Sequence, residues 1–442
     1  MKKLHGLVIS WYYPPVNSSE GLVTYKLLKN SNFTYDVFTR KPQTNSENIW
    51  DRDVEESELT ADNVTIYQSE ADNEKEWVDE AVRFFEQHAD EYDFVMSRIM
   101  SKDAHVAAAR IKNMHPEIFW IASFGDPLVD SPYLEIIKKR SNPFFLKQYY
   151  VKELPSFPKL LRLAISPTRI ARKKVWEKER IEKMIFPNEC KAVNDETFEK
   201  ADLLVFNNQQ QYDLAFSGEK AKYQPKGVVV FHSFDKSLYP KTVEPKNDNK
   251  IHFVYVGHLD SLRNAKSVFD ALGMMKKNDS LLSEKVHFDF YGHIDDMDKV
   301  AIVDNEIADL VSLHKNITYL ESLKKMKEAD WLIMIDANLN KLLDEYIYLP
   351  AKLMDYFGAG KNIFAITQLR GTTADAMKKT RAGKVVTHCA SDVALYLSKI
   401  IYQNYNPAKR NEKSLSEYDA VNVAKMFDEM VLDGIQKEQK GC

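Results

Sequence analysis

Short apolar segments alternate with longer amphipathic segments along most of the chain. In the first half, seven runs rich in β-branched and aromatic residues predict strands, at 4–10, 35–39, 64–67, 94–97, 119–123, 203–206 and 228–231. Helical patterns at 75–88 and 102–114 lie between them. Because the strands are apolar almost throughout, they predict a parallel sheet that helices cover on both faces.

A polar stretch at 241–250 interrupts this alternation and is the best candidate for a linker. The alternation then restarts. Strands are predicted at 252–256, 286–291, 317–319, 331–335, 363–366 and 384–386, and helices at 265–276, near 304–313, and at 323–329, 349–357 and 391–402. Two such runs predict two doubly wound α/β domains, 1–240 and 250–415, with a cleft between them. A last helix, within 416–442, is a candidate to cross back to the first domain.

The segment 134–191 differs in charge from the rest of the chain. It holds 15 Lys and Arg against 6 Asp and Glu, a net of +9, while the whole chain has a net charge of -4. The remainder is therefore about -13, and aromatic residues and leucines lie among the basic ones. The segment predicts a basic helical insertion, at about 134–200, in the first domain. A solvated subdomain, a surface for anionic lipid or a lipid-linked acceptor, and an RNA-binding surface all fit this composition.

Composition narrows the class of protein. The 442 residues are 44% hydrophobic, and the low counts of Gly (14) and Pro (16) exclude low-complexity and collagen-like chains. A net charge of -4 argues against a general nucleic-acid binder. Cys190, Cys389 and Cys442 have no metal-ligand spacing, which favours a reducing cytoplasm. The apolar start at 4–10 is followed by no small-residue cleavage site, so it predicts a buried strand instead of a signal peptide.

A glycine and an arginine follow the first predicted strand of the second domain. Gly257 ends the strand, and His258 to Asn264 lead into the next helix. A glycine at such a position lets a ligand approach the backbone, and a helix N-terminus favours an anion. Arg263 adds a guanidinium that matches phosphate oxygens. A plain strand-to-helix turn with a surface arginine is an equally common arrangement.

The helix predicted at 349–357 has a polar face. Pro350 suits its first turn, and Tyr348, Lys352 and Asp355 lie within about 60° of one another around the helix axis. A carboxylate there can accept hydrogen bonds from sugar hydroxyls while the helix start binds phosphate. A solvated Lys–Asp pair on an amphipathic helix explains the same pattern.

Several of these segments resemble glycosyltransferase family 4. The similar segments are VGHLDSLRNAKSVFDAL (256–272), YGH (291–293), EADWLIMI (328–335) and, most specifically, YLPAKLMDYFGAGKNIFAI (348–366). In the first half, SWYYPPVNSSEG (10–21), 97–112, 123–133 and 230–240 are looser matches. The resemblance implies a GT-B fold of two Rossmann-like domains and a retaining transfer from a nucleotide sugar.

The resemblance also assigns roles to single residues. It makes Gly257, His258, Arg263, Tyr348, Lys352 and Asp355 the donor-binding residues, with Asp355 on the ribose, and it places Gly21 in an acceptor loop. The family usually has an Arg where His258 stands and a Lys where Arg263 stands. It also tends to have two glutamates eight positions apart, and the first of them falls on Ile347. His258 is only weakly charged at pH 7.

Acceptor-side candidates follow strands of the first domain. Asp126, after a buried strand, is the candidate to orient or deprotonate the acceptor hydroxyl, although an Asp before Pro also forms turns. Arg98 and Ser101 follow another strand, where ligands bind in open α/β sheets. His105 lies in a helical pattern, and both a structural role and acceptor binding are open for it.

We therefore expect a retaining glycosyltransferase of polysaccharide or glycoconjugate biosynthesis, acting on a glycan or lipid-linked acceptor. The resemblance implies that a leaving phosphate oxygen takes the acceptor's proton, with no essential protein nucleophile. We expect no metal and no cofactor besides the nucleotide-sugar substrate. The expected location is the cytoplasm, with the basic segment as a contact to the inner face of an anionic membrane. The alternatives are a catalytically silent GT-B partner subunit and a nucleotide-sugar 2-epimerase.

Overall fold

The computed structural model describes residues 3–16, 18–42, 58–99, 101–129, 187–244, 248–260, 262–339, 343–403, 405 and 407–441. Two parallel sheets organise these residues, and each sheet forms one α/β domain. The prediction of two doubly wound domains is confirmed. The predicted insertion at about 134–200 lies mostly outside the described residues, except that 187–200 form a helix.

The first sheet has seven strands in the order β3-β2-β1-β4-β5-β6-β7. They are β1 (His5–Ser10), β2 (Thr34–Arg40), β3 (Val64–Ser69), β4 (Phe94–Ile99), β5 (Phe119–Phe124), β6 (Leu203–Phe206) and β7 (Gly227–Val229). Among the described residues of this half, the α-helices are α1 (Ser19–Lys29), α2 (Glu74–His88), α3 (Asp103–Met114), α4 (Pro187–Lys200) and α5 (Gln209–Ala215). Buried apolar side chains cover both faces of the sheet, as the continuous apolar strands predicted.

The second sheet has six strands in the order β10-β9-β8-β11-β12-β13. They are β8 (Ile251–Val256), β9 (Val286–Tyr291), β10 (Val311–His314), β11 (Trp331–Ile335), β12 (Asn362–Ile366) and β13 (Gly383–Val386). The helices are α6 (Lys266–Asn278), α7 (Asp296–Asp304), α8 (Tyr319–Glu328), α9 (Ala351–Ala359), α10 (Thr372–Thr380), α11 (Ala390–Gln403), α12 (Glu412–Ser416) and α13 (Ala420–Gly441). Both sheets reverse their strand order next to a central pair, β1/β4 and β8/β11.

One apolar core continues from the first domain into the second. It includes Tyr25 of α1, Phe234 after β7, and Leu353 and Phe357 of α9. Helix α13 packs against the first domain, where Asp428 accepts a hydrogen bond from the backbone N–H of Asn32 at 2.8 Å. The two domains are therefore in contact through buried side chains as well as through the linker.

Two predicted elements near the edge of the second sheet are wrong. The helix expected near 304–313 lies earlier, at Asp296–Asp304, and the strand expected at 317–319 is replaced by β10 at Val311–His314. Thr318 caps α8 instead, because its hydroxyl accepts from Glu321 N–H while the Glu321 carboxylate accepts from Thr318 N–H. An edge strand that is half-exposed has a weak apolar signal, which explains the shift.

Helices α1 and α10 were not predicted. In α1, Ser18 caps the N-terminus by accepting from Gly21 N–H at 3.0 Å, so residues expected in a loop form the first turn. Within the described residues, no helix has the length and apolar content needed to cross a bilayer.

Candidate active site

The candidate site lies in the cleft between the two domains. In open α/β sheets, ligands bind beyond the carboxyl ends of the strands where the strand order reverses. Gly257 follows β8 and Asp336 follows β11 at such a point, and Arg98 lies near the end of β4 at the other. The charge of Arg263 in the second domain acts on Asp126 in the first, so the two strand ends face a common space.

Gly257 is a position that only glycine fits. Its φ is +130°, and a Cβ there would lie 2.2 Å from Nζ of Lys352. Gly292, at the end of β9, has a φ of +123°, and its Cβ would lie 2.3 Å from the carbonyl oxygen of Gly257. The two glycines allow the ends of β8 and β9 and the side chain of Lys352 to approach one another closely.

Two cations, Lys352 and Arg263, meet beside Gly257. Lys352 Nζ donates to the Tyr255 hydroxyl at 2.9 Å. Burial and repulsion from Arg263 hold the pKa of Lys352 well below its usual range, although Asp336 and Asp260 act in the opposite direction. In the described part of the chain, Arg263 Nε is buried without a hydrogen-bond partner. The unpartnered Nε of Arg263 can donate to an incoming anion, and the charge of that anion would also favour the ammonium form of Lys352.

Asp336 is a fully buried carboxyl behind the two cations. It directly follows β11, and its Oδ2 accepts from Thr367 Oγ1 at 2.6 Å. Burial raises the pKa of Asp336, and hydrogen bonding to Thr367 opposes the shift. Sequence reasoning missed this residue, although an acid directly after a buried strand was a usable signal.

His258 is neutral at pH 7, in agreement with the expectation of a weakly charged residue. Burial, followed by repulsion from Lys352, lowers its pKa to about 4. Its ring centroid lies 6.3 Å from that of His293, which follows the neighbouring strand β9. Arg263 is therefore the cation of this loop.

Arg98 forms a buried ion pair on the first-domain side of the cleft. Its Nη2 lies 2.9 Å from Glu20 Oε2, and its Nη1 donates to Ser123 Oγ at 2.9 Å. The side chains of Arg98 and Glu20 are 6% and 10% exposed. Arg98 lies within β4, not in the loop after it as predicted. Its charge is compensated by a protein carboxylate.

Asp126 is an exposed carboxyl that the cleft walls surround. Partial shielding of the carboxyl from water by the surrounding protein, followed by repulsion from Glu20, raises its pKa to about 6, while Gln211, Arg263 and Arg98 lower it. Gln211 Nε2 lies 3.5 Å from Asp126 Oδ1. The group is mostly ionised at pH 7 and titrates just below neutrality.

The three remaining acceptor-side candidates are Gly21, Ser101 and His105, and each lies in surroundings that differ from those of Asp126. Gly21 is buried in α1, where a Cβ would lie 3.1 Å from Tyr13 Cα, so the expected loop position is corrected. Ser101 donates to the carboxylate of Asp103 at the start of α3. His105 is 0% exposed, and its ring packs 4.8 Å from that of Phe124. The prediction that His105 binds the acceptor is therefore wrong.

The structure places Asp355 in a buried ion pair. Its Oδ1 is 2.7 Å from Nζ of Lys26 and accepts from the Tyr319 hydroxyl at 2.8 Å, and the residue is 6% exposed. This geometry corrects the ribose-binding prediction, because the carboxylate is closed to solvent. Tyr348 is half-buried, with its ring 5.6 Å from that of Tyr346. Sequence reasoning missed Lys26 and Tyr319, whose positions in amphipathic segments carry no local signal.

Comparison with known proteins places the fold among solved structures. No family model matches the chain, and no curated protein matches it. Sucrose-phosphate synthase from Thermosynechococcus elongatus is similar with a TM-score of 0.60 and 11% identity, over 98% of this chain and 99% of that one. The lipopolysaccharide outer core galactosyltransferase WaaB, in its apo form, is similar with 0.55 and 12%, over 97% and 99%.

A UDP-GlcNAc 2-epimerase from Neisseria meningitidis, solved with bound UDP-GlcNAc, is as similar in fold as WaaB is. Its TM-score is 0.55 at 12% identity, over 97% of this chain and 100% of that one. Identities this low establish the architecture alone. The architecture is shared along almost the entire length of each protein. The two parallel-sheet domains of this chain, joined across a cleft, therefore form a GT-B fold.

Proposed function

We propose that this protein is a retaining glycosyltransferase, similar to glycosyltransferase family 4, that transfers a sugar from a nucleotide sugar to a glycan or lipid-linked acceptor. The observation that carries the proposal is a pair of neighbouring cations: Lys352, beside Gly257, and Arg263, whose charge also acts on Asp126 of the first domain. This is the arrangement that a leaving diphosphate and an incoming hydroxyl require.

The donor diphosphate would lie against Gly257, where Arg263 and Lys352 bind its oxygens. Glycosyl transfer builds negative charge on the departing phosphate, so cations already in place stabilise the transition state more than the ground state. Neutral His258 and the half-buried Tyr348 would contact the donor without adding charge. A structure of MnaA from S. aureus with a TM-score of 0.51 contains UDP, which makes uridine nucleotides the first to test.

The acceptor would enter from the first-domain side. The bond between the sugar's anomeric carbon and the phosphate oxygen breaks, and the acceptor oxygen bonds to the same face of that carbon. The departing phosphate oxygen takes the acceptor's proton. Asp126 would accept a hydrogen bond from this hydroxyl and orient it, which requires the carboxylate form. The charge of Arg98 also acts on Asp126 from this side.

A nucleotide-sugar 2-epimerase is the second candidate. The observation in its favour is that the Neisseria epimerase and the WaaB galactosyltransferase are equally similar in fold, both with a TM-score of 0.55. An epimerase would use the same cations to bind the diphosphate, and it would release an epimerised nucleotide sugar.

A ligand screen followed by product analysis tests the proposal. UDP, GDP, ADP and their sugars are added singly while thermal unfolding is recorded, because a ligand of the native state raises the transition temperature. The nucleotide that binds is then incubated as its sugar with the protein and a panel of glycan and lipid-linked acceptors. Acceptor-dependent nucleotide release supports the transferase, and an epimerised donor supports the epimerase. Binding without turnover indicates a silent subunit.

The proposal includes a cytoplasmic location at the inner face of an anionic membrane, with contact through the basic segment 134–191. Each Lys or Arg near an anionic surface contributes about 1 kcal/mol, screened by salt. Co-sedimentation with anionic vesicles should therefore occur at low salt and vanish when Arg172, Lys173 and Lys174 become Glu. If the protein ignores such vesicles at low salt, the segment does not bind membrane.

A further inference from the structure

Three buried side chains from three helices meet at one carboxylate oxygen between the domains. Lys26 belongs to α1 of the first domain and is 1% exposed. Its Nζ lies 2.7 Å from Oδ1 of Asp355 in α9, and the Tyr319 hydroxyl of α8 donates to the same oxygen at 2.8 Å. The ion pair joins residues 329 positions apart.

The backbone of α9 is held at the same place. Tyr239, in the segment that connects the two sheets, donates from its hydroxyl to the Asp355 carbonyl oxygen at 2.7 Å. Gly358 leaves room for this ring, because a Cβ there would lie 2.4 Å from the Tyr239 oxygen. Helix α9 is thus tied to the first domain by a side chain and to the connecting segment by its backbone.

Helix α9 also bears Lys352, one turn before Asp355. Lys352 Nζ reaches Gly257 and the Tyr255 hydroxyl, all within the second domain. Contacts of Lys352 with a donor phosphate therefore need only the second domain. Transfer to an acceptor also needs Asp126, which belongs to the first domain, at the correct distance.

We propose that Lys26, Asp355 and Tyr319 form an interdomain lock that holds the cationic wall of the cleft opposite Asp126, and that Lys26 and Asp355 are positioning residues without contact to the donor. This inference rests on the proposed function. It assigns the carboxylate of α9 to domain alignment, not to the ribose. A buried pair suits this task because each charge, once desolvated, has a strong preference for its partner.

The lock makes a distinct prediction for binding and for turnover. Lys26→Met should lower kcat by about 100-fold, the effect expected of a misaligned cleft, while the Kd of the nucleotide stays within about threefold. Lys29→Met is the matched control, because Lys29 lies one turn later on α1 and pairs, at 2.6 Å, with Asp235 of the connecting segment and not with α9. Lys29→Met should change neither quantity.

A milder variant guards against loss of folding. Tyr319→Phe removes one hydrogen bond from Asp355 and leaves no unpaired charge, so it should lower kcat in the same direction by a smaller factor. Lys26→Met combined with Asp355→Asn should cost little more than Lys26→Met alone, because both changes open the same lock. Additive losses would overturn the proposal.

Nucleotide calorimetry and small-angle X-ray scattering provide the two readouts. If Lys26→Met weakens nucleotide binding as much as Arg263→Ala does, the Lys26–Asp355 pair contacts the donor, and the lock is rejected. An unchanged kcat in both Lys26→Met and Tyr319→Phe also rejects it. If the wild type binds no nucleotide, the proposed function fails. The lock is then judged by the radius of gyration, which should rise for Lys26→Met and not for Lys29→Met.

Discussion

Each wall of the cleft has an arginine near the point where the strand order of its sheet reverses, and the two arginines have different partners. In the first domain, Arg98 pairs with Glu20 and donates to Ser123. In the second domain, Arg263 has Lys352 as its neighbour, and the repulsion between them contributes to the lowered pKa of that lysine. A cation in a direct ion pair contributes to the fold, whereas two neighbouring cations with an unpartnered Nε favour the binding of an anion.

The largest expected effect is the loss of the first arginine. Arg98→Met leaves the Glu20 carboxylate buried without its partner, which should lower the free energy of unfolding by about 3–5 kcal/mol. Arg263→Met should cause a smaller loss, because Lys352 remains beside the buried Asp336 and the substitution also removes the repulsion between the two cations. Denaturant unfolding of both variants measures the difference. Equal destabilisation would show that the two walls do not differ in this respect.

The second arginine should matter for catalysis. Arg263→Ala should lower kcat/KM by about 10- to 150-fold, since a hydrogen bond to a charged group contributes about 1.5–3 kcal/mol. His258→Ala should have a much smaller effect, because His258 is neutral at pH 7. Lys266→Ala, at the exposed start of α6, is the control for a neighbouring lysine that pairs with Asp270. A histidine variant worse than the arginine variant would contradict this account of the loop.

The depressed pKa of Lys352 predicts proton uptake when nucleotide binds. An added diphosphate stabilises the charged ammonium, so the pKa of Lys352 should rise towards its ordinary value. Calorimetry in buffers of different ionisation enthalpy should show uptake at pH values between the free and the bound pKa. Lys352→Met should abolish it and weaken binding by about tenfold. Equal uptake in the variant would place the titrating group elsewhere.

The smallest expected effect is a pH dependence of kcat/KM, caused by Asp126 on the first-domain wall of the cleft. Because Asp126 titrates at about 6, kcat/KM should fall on the acidic side as pH decreases through 6. Asp126→Asn should be slower and should lack this acidic limb. Gln211→Leu should shift the limb to higher pH, since Gln211 favours the charged carboxyl. A limb that persists in Asp126→Asn would assign it to another group.

Local sequence patterns were sufficient to predict the two-domain architecture and part of the cleft wall that the second domain forms. Continuous apolar strands can be buried only between two layers of helices, so the doubly wound sheets followed from periodicity. Gly257 and Arg263 were also predictable, because a strand, a glycine and a helix start are neighbours in sequence. The edge strand Val311–His314 was not predictable, because its partial exposure weakens the apolar signal in the sequence.

Only the tertiary structure decided which polar residues meet. The helical pattern around Asp355 marked a polar face, and its partner Lys26 lies 329 positions away, with no local trace in either segment. The helical pattern around His105 left a structural role and acceptor binding open, and the helix that bears it packs on the sheet and buries it completely. Sequence periodicity determines which face of an element is apolar. Domain packing determines whether a polar group on the other face meets solvent, a ligand or a buried partner, because those contacts join residues that the chain keeps far apart.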